Sequence, residues 1–165
     1  MKIYDFNELA SNTMPMEDFE LNWRFDDEKY DKLPEKDLRL IKPLNPVVSK
    51  FLWDYISKSG LHSDIPFKKD YFETIEQITI TADNKKDVKN WLYQCDLPLD
   101  NQVCLSWLPT TAIMIPWKLF IQYFDSFYYS VSDDLTIVDE SLSCALFFHH
   151  SGEIYFGRTT NFTPI

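Results

Sequence analysis

Two short β-prone runs, Cys144-Ala145-Leu146-Phe147-Phe148 and Ile154-Tyr155-Phe156, stand on either side of a small polar break at Ser151-Gly152. So short a connection joins antiparallel strands only, because a parallel pair needs a crossover of a dozen or more residues. A third run precedes them, in which Leu135 and Ile137 alternate with Thr136 and Val138. The last third of the chain therefore predicts a small antiparallel sheet closed by a two-residue Ser151-Gly152 turn. Two adjacent histidines, His149 and His150, fall at that turn, and the acidic pairs Asp133-Asp134 and Asp139-Glu140 lie just ahead of it.

The remainder mixes helical and strand periods. Asn45 is a capping residue, Pro46 suits the first helical position and Gly60 suits the end. Between them Val48, Phe51, Leu52, Tyr55 and Ile56 share one face, which predicts a helix over 45–59. A second helix is predicted from Asp83 or Asn84 to about Gln94, with Val88, Trp91, Leu92 and Cys95 on one stripe. Lys85, Lys86 and Lys89 near its start oppose the helix dipole, so it leans on packing. A third is predicted from Pro116 to Ser126 or Tyr128, its stripe of Trp117, Phe120, Ile121, Phe124 and Tyr128 facing the core. Further strands are predicted over 74–81, over 103–108 and over 19–25, with a short helical turn over 36–41. Strands and helices without regular βαβ alternation indicate an α+β protein: one domain over 1–165, a mainly antiparallel sheet packed against about three helices.

Composition narrows the class. A chain of 165 residues can bury roughly 70% of its unfolded surface without a metal or disulfide framework. Its 13 Phe, 9 Tyr and 5 Trp supply core material, while three glycines are too few for a phosphate-cradling loop or a nucleophile elbow. Cys95, Cys104 and Cys144 follow no paired spacing and read as buried free thiols in a reducing, cytoplasmic setting. The first eight residues lack the pattern of a secretory leader, and no apolar run approaches a membrane span. Residues 1–40 hold 11 acidic and 6 basic side chains (−5), residues 41–95 hold 7 and 8 (+1), and residues 96–165 hold 8 and 2 (−6). Such a field disfavours nucleic acid and anionic membranes and favours a cationic protein partner.

Only one cluster has the residue types of a reactive site: His149 and His150 with Asp133, Asp134, Asp139, Glu140 and Glu153. Two histidines and a carboxylate are a metal donor set. On a strand, however, neighbouring residues point to opposite faces, so the pair joins one carboxylate only if the turn twists the rings together. No metal or other cofactor is expected. A cysteine–histidine pair is disfavoured, since Cys144 and His150 lie about 20 Å apart along an extended strand, and Cys104 sits in an apolar run. The two acidic pairs suit turns better than acid–base catalysis.

The segment over 117–137, with its aromatic helix and Asp133-Asp134 turn, continues to Phe148-His149-His150 and Ile154-Tyr155-Phe156-Gly157. In this it resembles the C-terminal part of small acidic bacterial proteins, some uncharacterised and others immunity proteins of polymorphic or contact-dependent toxin systems. It departs from the SUKH type of immunity domain, because no glycine-bearing loop follows Leu33-Pro34. The resemblance implies a stoichiometric binder that covers a basic toxin, with Asp133, Asp134, Asp139, Glu140, His149, His150 and Glu153 at the interface and no catalytic residue. The sequence is accordingly read as a non-catalytic cytoplasmic binding protein. The alternative is a metal-dependent or hydrolytic enzyme centred on the His149/His150 hairpin.

Overall fold

The computed structural model describes residues 5–30 and 32–159, so four of the eight residues read for a leader lie outside it. Seven strands form one sheet: β1 (Lys42–Pro43), β2 (Thr74–Thr79), β3 (Gln102–Leu108), β4 (Thr111–Pro116), β5 (Leu135–Val138), β6 (Cys144–Phe148) and β7 (Glu153–Arg158). Their order is β1-β4-β3-β5-β6-β7-β2 and every pairing is antiparallel. The helices are α1 (Glu35–Leu38), α2 (Pro46–Ser59), α3 (Lys85–Tyr93), α4 (Trp117–Gln122) and α5 (Phe124–Phe127), preceded by three 3-10 turns. The fold is α+β, as the sequence predicts. Among the described residues no helix is long and apolar enough to cross a membrane.

Both faces of the sheet are covered, and the side-chain alternation of the strands sorts residues between two cores. Val103, Leu105 and Trp107 of β3 join Leu135, Ile137, Leu146, Phe148, Ile154 and Phe156 in a core shared with α3, α4, α5 and the N-terminal turns. Cys104, Val138, Ala145 and Phe147 point the other way, into a core with α2 and Phe67 and Phe72 of the loop that follows it. On that side Gly157 lets the chain pass under Phe72, since a Cβ there would stand 2.2 Å from a ring carbon.

The strongest local signals are realised. The Asn45 carboxamide oxygen accepts from the N–H groups of Val47 (3.1 Å) and Val48 (3.0 Å), and Gly60 ends α2 with φ of 77°. Helix α3 has no side-chain cap: Asn84 turns instead to the backbone of Thr81 and Thr79. It is held by Val88, Leu92 and Cys95, all buried.

Three readings need correction, and strand β4 was not read at all. The alternation over 19–25 is not a strand. The Asn22 side chain donates to the carbonyls of Met16 (3.1 Å) and Glu17 (3.2 Å) and winds the segment into a 3-10 turn over Asn22–Asp26. Phe19, extended before the bend, and Phe25, in the turn, bury side by side with ring centres 6.1 Å apart, while Trp23 is exposed. The third predicted helix breaks at Tyr123, which leaves helical dihedrals (φ −124°, ψ 32°) as its hydroxyl donates to Asp37 (2.9 Å). The hairpin bend centres on His150-Ser151: Gly152 N–H donates to the His149 carbonyl (2.9 Å) and Gly152 takes φ of 94°. Finally, β4 lacks the alternation that marks a half-exposed strand, because it is covered on both faces.

Candidate functional site

The structure splits the sequence-derived cluster. Asp139 and Glu140 follow β5, whereas Asp133 and Asp134 precede it, so the two pairs lie roughly 17 Å apart at opposite ends of the strand. Asp139 closes a tight turn by accepting from the N–H (3.0 Å) and hydroxyl (2.6 Å) of Ser141. The Glu140 carbonyl accepts from the Tyr55 hydroxyl. At the other end Glu153 accepts from the Tyr155 hydroxyl, and Asp134 and the histidine pair meet.

Asp133 departs furthest from the role of a surface contact. It is 8% exposed and forms a two-pronged ion pair with Arg24, which is 6% exposed; Nη2 reaches Oδ1 at 2.9 Å and Nη1 reaches Oδ2. The Tyr129 N–H donates to the same carboxylate (2.9 Å), and the Arg24 guanidinium lies 4.2 Å from the Tyr129 ring centre. An acid in this setting organises the 129–134 turn and cannot be lent to a partner without leaving a charge buried.

Around this pair opens a cleft of about 730 Å³ at the end of the sheet. One wall is Trp53, Ile56 and Ser57 of α2 with His62, Ser63 and Ile65 of the following loop; Leu21 and Arg24 form another. Its floor is Ser106, Trp107 and Leu108 of β3, Thr136 of β5 and Phe147 of β6, and Asp134 stands among the lining residues. Ile65 and Leu108 remain 63% and 50% exposed. Two polar atoms of cleft residues, Arg24 Nε and Ser106 Oγ, are buried without a hydrogen-bond partner. Beside the cleft Val131 is exposed with φ of 81°, a left-handed conformation that costs a β-branched residue.

His62 escaped the sequence reading. Its Nδ1–H donates to the Pro66 carbonyl (2.7 Å), and Nε2 lies 2.8 Å from the Thr136 hydroxyl, which donates to a neutral ring and accepts from a charged one. Burial pushes its pKa below the ordinary value of 6.5, outweighing the raising effects of Pro66 and Asp134. The unfolded chain therefore takes up the proton first as pH falls. Stability contributed by neutral His62 is present above the ordinary value and is lost progressively below it, until the lower folded-state value is passed. Urea unfolding at pH 8 and pH 5.5 should show a larger drop for the wild type than for His62→Gln; equal drops would mean the ring titrates as in the unfolded chain.

The three cysteines are buried free thiols, and burial pushes Cys104 and Cys144 up to about 12 and Cys95 up as well. Thiolate chemistry is thereby suppressed. Compared with known proteins, the chain matches no family model, no curated protein and no solved structure.

Proposed function

We propose that this chain is a non-catalytic binding protein whose cleft receives an apolar anchor of a basic protein partner. The carrying observation is the cleft itself. Its walls are largely apolar, Ile65 and Leu108 stand exposed at it, and Asp134 supplies a carboxylate. An apolar side chain entering beside Trp53 and Leu108 gains the burial that interface anchors exploit. The net charge of −10 attracts a cationic partner to the molecule and gives association that weakens with salt. The resemblance to immunity proteins makes a basic toxin domain the first partner to test.

Native mass spectrometry of the protein purified from its own cells, at low and at high salt, tests this reading. A basic protein bound one to one at low salt and shed at high salt is expected, with Leu108→Asp weakening it by at least about 2 kcal/mol if Leu108 is a hot spot. A bare chain at both salts, or a complex indifferent to Leu108→Asp, would sink the proposal.

A further inference from the structure

The histidine pair does not lie on a strand. Strand β6 ends at Phe148, and the bend at His150-Ser151 swings the two rings to the same side, with centres 4.0 Å apart. The objection that adjacent strand residues diverge is thereby removed. Asp134, from the turn before β5, reaches the same point: a ring nitrogen of each histidine and one Asp134 oxygen all lie within 4.8 Å of one another. We infer that Asp134, His149 and His150 form a surface site for a divalent transition-metal ion of the Zn²⁺ type, against the sequence expectation of no metal.

Distances and chemistry agree on this. Zinc bonds of about 2.0–2.2 Å in a tetrahedral shell put ligand atoms roughly 3.3–3.5 Å apart. His150 Nδ1 and Asp134 Oδ1 already stand at 3.0 Å, with both side chains about half exposed and free to adjust. The backbone beneath them is fixed. The His150 N–H donates to Asp134 (2.9 Å), the His150 carbonyl accepts from Val131 N–H (2.8 Å), and the His149 carbonyl accepts from Gly152 N–H and the Tyr128 hydroxyl. Capture of an ion thus requires side-chain rotation alone. His149 Nδ1 accepts from the Ser151 N–H (3.2 Å) and meets the Ser151 hydroxyl (2.7 Å), so ligation by this ring requires it to leave those contacts or to move its proton from Nε2. Two imidazoles and one carboxylate select zinc, nickel or copper over calcium and magnesium, which prefer all-oxygen shells. With three protein ligands, a fourth position stays open for water or for a donor atom from whatever the adjacent cleft holds.

Isothermal titration of the full chain with ZnCl₂, and with MgCl₂ and CaCl₂ in parallel, tests the site independently of any partner. One zinc per chain is expected, at least about tenfold weaker in His150→Gln and in Asp134→Asn, as even outer-shell losses cost that much. The His149→Gln/His150→Gln double variant should lose binding while melting as the wild type does, and zinc should shift the imidazole NMR signals of His149 and His150 but not of His62. No saturable zinc binding, zinc binding unchanged in the double variant, or equal binding of calcium would each overturn the inference.

Discussion

Asp133→Ala should destabilise the protein by about 3–5 kcal/mol, the range for removing one partner of a buried ion pair. The arithmetic follows from what would be left behind. Arg24 is buried, its Nε already lacks a partner, and without the carboxylate both Nη groups and the Tyr129 N–H would lose their acceptor. Against a usual total of 5–15 kcal/mol, such a loss brings a domain close to its unfolding threshold. For a chain of this length the melting temperature should fall by roughly 10 °C or more. The double variant Arg24→Met/Asp133→Leu should regain most of the loss, since well-packed apolar replacements of buried pairs are commonly neutral or better. Urea unfolding of the single and double variants measures both. A cost below about 1 kcal/mol for Asp133→Ala would show that the pair behaves as a solvated surface bridge. The distinction matters for function, because under the larger cost a loss of partner binding in an Asp133 variant reflects a collapsed cleft wall and not a missing contact.

What the sequence made legible is what short-range chemistry dictates. Asn45, Pro46 and Gly60 mark α2 at both ends, and the hairpin of β6 and β7 needs only two apolar runs and a glycine. Failures came where local signals coincide or vanish. Phe19, Leu21, Trp23 and Phe25 alternate like a strand, yet the chain bends after Phe19, where the Asn22 side chain bonds back to the carbonyls of Met16 and Glu17. Strand β4, buried on both faces, offers no alternation. The site divides in the same way. Asp134, His149 and His150 were visible as residue types, but their convergence depends on which residues the bend centres on. The cleft was invisible because its key pairs span the chain: Arg24 and Asp133 are 109 residues apart, and His62 and Thr136 are 74 apart. No periodicity joins positions so distant. Only the sheet order, with β3 and β5 side by side, sets Ser106 against Thr136 and builds the cleft floor.

The second large effect is expected at Phe120. Its ring is fully buried at the centre of an aromatic cluster, nearly parallel to Trp117 (5.5 Å, 9°), offset from Phe127 (5.8 Å) and edge-on to Phe148 (5.3 Å). Phe120→Ala should cost about 3–5 kcal/mol from lost transfer energy and the cavity left behind. The upper half of that range applies where neighbours cannot collapse inward, and here they are tied. The Trp117 N–H donates to the Asn101 carbonyl (2.8 Å), Phe148 is locked into β6 between β5 and β7, and Phe127 accepts through its carbonyl from Trp107 Nε1–H (3.1 Å). Phe120→Leu, which refills part of the space, should cost distinctly less. Tyr93→Ala on α3, half exposed, should stay within about 0.5 kcal/mol and serves as the surface control. Urea midpoints for the three variants settle the ranking. If Phe120→Ala cost under about 2 kcal/mol, the cluster would be able to relax, and the rigid support that α4 and α5 give to β5 and β6 would be absent. Phe120→Ala leaves Asp134, His149 and His150 in place, so its folded fraction should still bind zinc at the wild-type stoichiometry, which separates support of the fold from the chemistry of the turn.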